Sequence, residues 1–509
     1  MELIRALAIA AAAAAALLLA VPTAFGLETD QHYAWGYELA DATEVVNAKF
    51  NLELELAVRR INARPDPGSA SCQDVARQLR RQLHFVIFQD LEVWALNSEL
   101  LPRLPATAEE EARYRSSNLY HIHPRLDFAS WLPTVPTIEV NGIRFGTDKL
   151  AHVVSSGWRW HDNYLRALKR GLSPAEAEAV TIRDGIFWER TGLGGMASGV
   201  TSQGDLEAGY QGMRFYDQLC RGDAPTLMLT DGYWRVRRPF DIRLLVSPEW
   251  DESYQPPWYT RARWRRVRPT LLGYCERRAL PSVVARQRYY HSLDRVTPVD
   301  AMIEALVAEG RLEDPQQFSL DANCPDAAAV PDAGAEAPEP ERPPTSAGPN
   351  RELIDQLARR GSDLEHRYVG LLGLGLAHPE VVNGSIGVLL AEVPAEYPCT
   401  TVCHFQGPLL QLQAGVGGGR LSAGWARVLG PKPRDRAFLT DVHIGFGFKG
   451  SLLRTWGDGS HSPSDQTFLG GEFEITVVRV NFRAGIFYRL DGDEGSARWL
   501  PAGGIGWGF

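Results

Sequence analysis

The sequence predicts an α + β protein of several domains, in which a mostly helical domain precedes a small antiparallel β-barrel of about eight strands. Three observations predict this order. Apolar residues recur at helical spacing within 27–324, a segment rich in proline, alanine and acidic residues follows at 325–350, and the glycine-rich segment 366–509 alternates apolar with polar residues. With 509 residues, the chain also exceeds the size of one hydrophobic core.

Residues 1–26 are arranged like a secretory signal peptide. Arg5 precedes a run of alanine and leucine, and the small residues Ala24 and Gly26 follow it. Because a membrane-spanning helix needs roughly 20 apolar residues, the short run favours cleavage after Gly26. An uncleaved membrane anchor is the alternative. No later apolar run approaches that length, so we expect no transmembrane helix in the mature chain.

Charge and cysteine content narrow the class of protein. The net charge of -9 argues against a nucleic-acid binder. The chain has 6 cysteines, an even number, and an exported protein matures in an oxidising compartment, so we expect disulfides. Cys399 and Cys403 are close enough in sequence to pair locally. The other four cysteines allow three pairings, between which the sequence does not choose.

In the first domain, apolar spacing predicts helices over 41–61, 72–96 and 146–170, with a turn-rich stretch between the last two. Ser173, Pro174 and Glu176 are the N-cap, first-turn proline and capping-box partner of a further helix that reaches about Arg190. Ser202 begins the next helix, to about 220. The segment 325–350 is predicted to be a disordered linker, followed by a short helix at 351–365.

The barrel is predicted from alternation along its strands. Between 477 and 490, Phe482, Ala484 and Ile486 share one face, and Asn481 and Arg483 share the other. One face can meet lipid while the other lines a polar interior. The same alternation occurs at 410–416, where Leu410, Leu412, Ala414 and Val416 oppose Gln411 and Gln413, and at 441–449, where Val442, Ile444, Phe446 and Phe448 oppose His443 and Lys449.

Two carboxylates, Glu472 and Glu474, are expected to face inward toward Arg479 and Arg483. Buried charges need partners, so we interpret this group as an interior ion-pair cluster. Acid-base chemistry by the two carboxylates is the alternative. An eight-stranded barrel is filled by its own side chains, which favours an anchor over a pore.

The last strand carries Ile505, Trp507 and Phe509 on one face, with glycines between them. This pattern resembles the C-terminal signature of bacterial outer-membrane proteins, which the barrel-assembly machinery recognises. The resemblance implies an outer-membrane location with the first domain in the periplasm. It also implies two partners, outer-membrane lipids and, through Phe509, the assembly machinery. The alternative is a soluble lipocalin-like barrel, whose apolar side chains would face inward around a ligand.

Candidate catalytic residues lie between 146 and 220. Asp148 and His152 are four residues apart on one helix face, so the carboxylate could orient the imidazole or both could bind a metal. Glu189 ends the next helix and Asp205 opens a third. Asp205 could instead complete a capping box with Ser202. The sequence assigns neither a metal nor a cofactor.

The runs GTDKLAH and SQGDLEAGYQG, with Glu189 between them, resemble the pattern of the VanZ-like and YfiM-like bacterial envelope families. That pattern is D-K-x-x-H, then a Glu, then D-x-x-A-N-x-x-G, in a small helical domain without established chemistry. Gly209 stands where the families have asparagine. The resemblance covers about 75 of the residues and maps onto Asp148, Lys149, His152, Glu189, Asp205, Ala208 and Gly212.

Basic residues provide a second hypothesis, that of a lipid or phosphate site. Arginine forks suit phosphates, and the tryptophans of the same segment suit a membrane interface. Docking onto an acidic protein surface is the alternative. The candidate lipid- or phosphate-binding residues are Lys149, Arg190, Arg263, Arg265 and Arg266.

Two functions follow as hypotheses. The first is an outer-membrane-anchored protein whose periplasmic helical domain binds an envelope lipid or glycan. The second is an envelope lipid or glycan hydrolase or transferase, with His152 as general base or metal ligand oriented by Asp148, and Glu189 as acid, base or ligand. Convergence of these residues at a solvent-open cleft would favour chemistry. Complete burial would favour a structural network of Asp148, His152, Glu189 and Arg190.

Overall fold

The computed structural model describes residues 28–83, 90–120, 134–222, 224–293, 296–324, 349–362, 364–394, 402–431, 438–439, 444–456, 465–477, 480–492 and 497–508. The described residues form two compact units, of which one runs to Arg359 and the other begins at Arg360. We call them the helical unit and the strand ring. The predicted signal peptide, the linker residues 325–348, Cys399 and Phe509 lie outside the described residues.

Twelve α-helices are present among the described residues, before the first long strand, which confirms the predicted order of helices and then strands. The predicted helix over 72–96 is described as two helices, at 72–83 and 90–97. None of the described helices is long and apolar enough to cross a membrane. The helices are α1 Thr43–Asn62, α2 Cys72–Leu83, α3 Asp90–Asn97, α4 Ala108–Ser117, α5 Asp148–Lys169, α6 Pro174–Thr191, α7 Gln203–Gln218, α8 Arg261–Leu272, α9 Pro281–Ser292, α10 Pro298–Ala308, α11 Leu320–Asn323 and α12 Arg351–Ser362.

The stretch before α5 is more regular than predicted. It contains α4, which begins with a capping box between Thr107 and Glu110, and a hairpin of strands β1 Thr137–Val140 and β2 Ile143–Gly146. Asn141 and Gly142 form the turn with φ of 52° and 77°, the left-handed pair that a two-residue hairpin requires. The prediction of a turn-rich segment therefore missed this helix and this hairpin, for which the capping box and the Asn-Gly turn are local signals.

Helices α5, α6 and α7 pack against one another through glycines. A Cβ on Gly157 of α5 would lie 2.5 Å from Cα of Gly212 on α7. A Cβ on Gly185 of α6 would lie 1.9 Å from the ring of Trp160. The helices can approach this closely only because these positions lack side chains. The capping box of Ser173 and Glu176 at the start of α6 is confirmed.

Two disulfides stabilise the helical unit, and they select one of the three possible pairings. Cys72 at the start of α2 is bonded to Cys220 after α7, and Cys275 is bonded to Cys324. The expected pairing of Cys399 with Cys403 remains a prediction, because Cys399 is not among the described residues.

Two further short strand pairs complete the strands described before the ring. Strands β3 Val200–Thr201 and β6 Trp258–Tyr259 pair with each other, as do β4 Leu227–Thr230 and β5 Tyr233–Val236. The β3–β6 pair follows a π-helical segment, Leu193–Ser198, that joins α6 to α7.

The second unit is a closed ring of eight long antiparallel strands, the predicted number. Each strand pairs with its neighbour along the chain, and the last pairs with the first, with Gly506 opposite Gly375. A short strand, β11 Phe438–Leu439, adds a parallel bridge to the first. The long strands are β7 Leu364–His378, β8 Val381–Pro394, β9 Val402–Gly415, β10 Gly418–Pro431, β12 Ile444–Thr455, β13 Thr467–Val477, β14 Val480–Asp491 and β15 Trp499–Gly508.

The predicted alternation is present along the ring strands. On β9, Leu410 and Leu412 are exposed while Gln411 and Gln413 are buried, and on β14 Ile486 is exposed while Asn481 and Arg483 are buried. On β12, Phe448 is exposed, but Ile444 and Phe446 on the same face are buried. Glu472 and Glu474 face inward as predicted.

The partners of these two carboxylates differ from the predicted arginines. Glu472 pairs with Arg420, and Glu474 pairs with Lys449. Arg483 contacts Gln413 instead, and Arg479 is not among the described residues. The charged partners therefore lie on β10 and β12, whereas proximity in sequence suggested a partner on β14.

Candidate functional site

The predicted site residues of the helical unit meet around Lys149, near the start of α5. The β1–β2 hairpin leads directly into this helix, and a Cβ on Gly146 would lie only 2.2 Å from Oδ1 of Asp148. That oxygen also accepts a hydrogen bond from Thr29 Oγ1 at 3.1 Å. Glycine at 146 therefore leaves the space in which the Asp148 carboxylate sits.

Lys149 is completely buried and forms ion pairs with three carboxylates. Its Nζ lies 2.7 Å from Asp148 Oδ2, 2.7 Å from Asp205 Oδ1 and 2.6 Å from Glu252 Oε1. An ammonium carries three N–H donors, which matches three acceptors. Gly204 makes room for the lysine stem, because a Cβ there would lie 2.8 Å from Lys149 Cε.

The three carboxylates keep Lys149 charged. Burial by itself would lower the pKa of the Lys149 ammonium, but the negative charges of Asp148, Asp205 and Glu252 raise that pKa well above its ordinary value. Lys149 is therefore a permanent cation at neutral pH. It can neither accept a proton as a general base nor attack a substrate as a nucleophile.

The same carboxylates have the spacing of a metal site, since oxygens of Asp148, Asp205 and Glu252 lie within 4.8 Å of one another. However, the lysine ammonium occupies the position between them, at distances of 2.6 to 2.7 Å. A metal ion there would have to displace a buried positive charge that already neutralises the same oxygens. As arranged, this group does not fit a metal ion.

His152 lies one turn after Asp148 and is buried. Its Nε2 is 3.5 Å from Asp205 Oδ1, and its Nδ1 is 3.3 Å from Ser156 Oγ. Burial lowers the pKa of the His152 imidazole more than the Asp205 carboxylate raises it, so the imidazole is neutral at pH 7. The three side chains thus form a chain of contacts from serine to histidine to aspartate.

The burial of Ser156 argues against catalysis by these three side chains. Ser156 is 6% exposed and lies between α5 and α7. A Cβ on Gly209 would come within 3.3 Å of Ser156 Cβ, so the two helices already touch at the serine. A substrate carbonyl could reach Ser156 Oγ only if α5 and α7 separated.

Asp205 contributes to the cluster instead of completing a capping box. Ser202 Oγ accepts a hydrogen bond from the backbone N–H of Asp205 at 3.1 Å, as an N-cap does, but the Asp205 carboxylate turns to Lys149 and His152. Burial raises the pKa of Asp205, while His152 and Lys149 lower it by more, so the carboxylate is ionised. Ser202 Oγ also donates to Glu252 Oε1 at 2.6 Å.

Glu189, at the end of α6, joins the cluster through Ser202, whose backbone N–H donates to its carboxylate. Burial and the negative charge of Asp205 raise the pKa of Glu189 to about 8, against the opposing effect of Arg159. A Cβ on Gly194 would lie 2.3 Å from Glu189 Oε1, so the π-helical segment packs directly on the carboxylate. All four candidate catalytic residues therefore belong to one connected group.

The candidate phosphate-binding arginines do not join Lys149. Arg190 is exposed, with Nη1 3.5 Å from the carbonyl oxygen of Arg311. Arg263 is buried, with its guanidinium 5.2 Å from the ring centre of Tyr120. Arg265 and Arg266 are exposed on α8. These residues lie in separate places and form no common anion site with Lys149.

Three acidic residues of the cluster were missed by sequence reasoning. Glu252 lies 103 residues from Lys149, and no spacing rule connects them. Glu92 is buried on α3, and burial together with Asp148 raises its pKa well above the ordinary value. Burial and Glu252 likewise raise the pKa of Glu28. For Glu92 a signal was available, since it interrupts the apolar run LEVWAL.

No family model, no curated protein and no solved structure matches the chain.

Proposed function

We propose that this protein is an outer-membrane-anchored envelope protein. Its ring spans the bilayer as a β-barrel, and its helical unit lies in the periplasm, where it binds an envelope lipid or glycan. One observation carries the proposal: the ring exposes large apolar side chains and buries charged ones, the reverse of a water-soluble barrel.

The outer surface of the ring supports a lipid environment. A contiguous apolar surface of this size is a liability in water but is required in hydrocarbon. The large exposed apolar side chains include Leu374, Leu376, Val382, Ile386, Val388, Leu410, Leu412, Val416, Leu421, Phe448, Leu452, Leu469, Ile486, Leu490, Ile505 and Trp507. Closure of the ring leaves no long strand with an unpaired edge, as spanning structures need.

The interior supports an anchor in preference to a channel. Arg420 pairs with both Glu380 and Glu472, and Lys449 pairs with Glu474. Along the strands, buried apolar groups lie on both sides of this charged layer. One includes Phe405 and Leu409, and the other includes Leu453, Phe468 and Phe487. A lipocalin-like ligand cavity would require the opposite interior.

Membrane fractionation tests the anchor. We expect the full chain in the outer-membrane fraction, resistant to urea and released by detergent. Leu410→Arg, at the middle of β9, should reduce assembly, because arginine near the bilayer midplane costs about 2–4 kcal/mol. Leu490→Arg, near the end of β14, is the matched control and should assemble almost normally. Recovery of the full chain as a soluble monomer would refute membrane insertion.

The enzymatic alternative is favoured by one observation, the serine–histidine–aspartate chain of contacts at Ser156, His152 and Asp205. Burial of all three side chains opposes it. Two variants, His152→Ala and Glu189→Ala, distinguish a catalytic site from a structural network. Each is assayed for thermal stability and for an envelope phenotype. Loss of function with retained stability would support chemistry, while loss of both would support a structural network.

A further inference from the structure

A cleft of about 360 Å³ opens in the helical unit, and neither Lys149 nor its three carboxylate partners line it. It lies between α7, the segment that follows β5, and the first turn of α10. Its size is within the range of small-molecule sites, roughly 300–1,000 Å³. The cleft can therefore hold a compact ligand such as a substituted sugar.

Two guanidinium groups line this cleft, Arg214 on α7 and Arg238 after β5. Arg214 is half exposed, and Nη1 is 3.5 Å from Glu178, which leaves N–H donors of the fork for a ligand. The one acid in the lining, Asp241, is held by a bidentate pair with Arg243, at 2.7 Å from Nη2 and 2.9 Å from Nε. The lining is therefore positive overall, as an anion requires.

An apolar wall lines the same cleft. Phe215 and Phe240 meet edge to face with ring centres 5.3 Å apart, and Phe240 stacks on Phe50 at 4.3 Å. Leu244 and Val296 form an exposed apolar rim. The rings are fixed by their own packing, so the wall is preorganised for the apolar face of a ring-shaped ligand.

The floor of the cleft is polar but uncharged at neutral pH. Gln211 and Thr297 line it, and Gln211 Nε2 donates to the buried carboxyl of Glu207 at 2.7 Å. Burial raises the pKa of Glu207 to about 8, with Asp300 and Glu249 adding negative charge nearby. Glu207 is therefore mostly protonated at pH 7, so the carboxyl that Gln211 contacts does not itself repel an anion.

We propose that this cleft binds a phosphomonoester carried on a sugar ring, with Arg214 and Arg238 holding the phosphate and the Phe215–Phe240 wall contacting the sugar. Forked guanidinium donors match phosphate oxygens, and the wall distinguishes a sugar phosphate from free phosphate. The site does not depend on whether the ring spans a membrane. The same chemical group occurs in phosphorylated glycolipid headgroups and in soluble sugar phosphates.

Calorimetric titration of the full chain in detergent micelles with glucose 1-phosphate tests this site. We expect saturable binding, weaker binding of inorganic phosphate, and affinity reduced at least about tenfold by Arg214→Gln or Arg238→Gln. Arg60→Gln, an exposed arginine on α1, is the charge-matched control and should bind normally. Thermal melts of each variant establish that it is folded.

Competition identifies the source of the ligand. Phosphatidylcholine vesicles that contain lipid A should displace glucose 1-phosphate if the cleft accepts a lipid headgroup, while a soluble ligand is indicated if they do not. Either result requires the sugar phosphate to bind. The proposal is overturned if glucose 1-phosphate shows no saturation, or if Arg60→Gln weakens binding as much as Arg214→Gln does.

Discussion

The helical unit and the strand ring each bury a lysine completely among carboxylates, but they balance its charge differently. Lys149 of the helical unit pairs with Asp148, Asp205 and Glu252. Lys449 of the ring pairs with Glu474 and lies 3.8 Å from Glu472. Lys149 has three acids for one positive charge, whereas Lys449 shares Glu472 with another cation, Arg420.

This difference shows two ways to bury acidic groups. Among the described residues of the ring, the buried charged residues are four cations, Arg420, Arg427, Lys449 and Arg483, and three anions, Glu380, Glu472 and Glu474. In the helical unit the excess acids gain protons: burial raises the pKa of Glu252 to about 7 and that of Glu189 to about 8. In the ring every buried acid of this set has a cation near it, whereas in the helical unit protonation neutralises the acids that exceed the cation.

The largest effect on stability is expected from removing the positive charge of Lys149. Lys149→Met leaves Asp148, Asp205 and Glu252 buried without a counterion, so we expect a loss of about 3–5 kcal/mol in the free energy of unfolding, or failure to fold. Chemical denaturation followed by tryptophan fluorescence measures it. Lys169→Met, exposed at the end of the same helix, is the control. An unchanged midpoint for Lys149→Met would show that the cluster does not need its cation.

The corresponding change in the ring should cost less. Arg420→Met removes the main partner of Glu380 and Glu472, but Lys449 remains within 3.8 Å of Glu472. We expect a loss of about 3 kcal/mol, detected as a lower temperature at which the folded form converts to the unfolded form on semi-native gels. Arg454→Met, on the exposed side of β12, serves as control. A loss larger than that for Lys149→Met would reverse the comparison.

Proton uptake in the helical unit predicts a pH dependence. The pKa of Glu189 is raised from 4.5 to about 8, so its contribution to stability is full below pH 4.5 and is lost as pH rises through 8. Glu189→Gln should remove that loss, which reaches about 1.4 kcal/mol per pH unit. Thermal melts between pH 5 and 9 measure it, with the exposed Glu304→Gln as control. Parallel curves for wild type and Glu189→Gln would contradict a protonated Glu189.

The smallest effect is expected at Ser156. Ser156→Ala removes one contact, at 3.3 Å, with His152 Nδ1, so we expect a loss of less than about 1 kcal/mol and unchanged complementation of an envelope phenotype. Melting temperature and complementation are measured together. A stable Ser156→Ala protein that fails to complement would support the enzymatic alternative over the structural network.

Much of the architecture could be predicted because its signals are local. Ser173, Pro174 and Glu176 predict the start of α6 within a single turn, and the capping box is present. The alternation at Leu410, Gln411 and Leu412 predicts which face of β9 is exposed, because side chains alternate along a strand. The hairpin at Asn141 and Gly142 was missed although its turn residues are equally local.

The site could be predicted only in part. Asp148 and His152 share a helix face, so their proximity follows from helix geometry. Disulfide pairing did not follow, because Cys72 and Cys220 are separated by 148 residues and only packing brings them together. The same holds for the ring, where the expected partners of Glu472 were close in sequence but the observed partner is Arg420, on another strand.

The sequence by itself determined the order of helices and strands, the two faces of the ring strands and the residues of α5 that belong to one site. These features depend on periods of two and of 3.6 residues, which are properties of the local backbone. Only the tertiary structure decided that Glu252 meets Lys149 and that the cluster is buried. A carboxylate 103 residues away is brought to 2.6 Å by helix packing, and no local pattern encodes that distance.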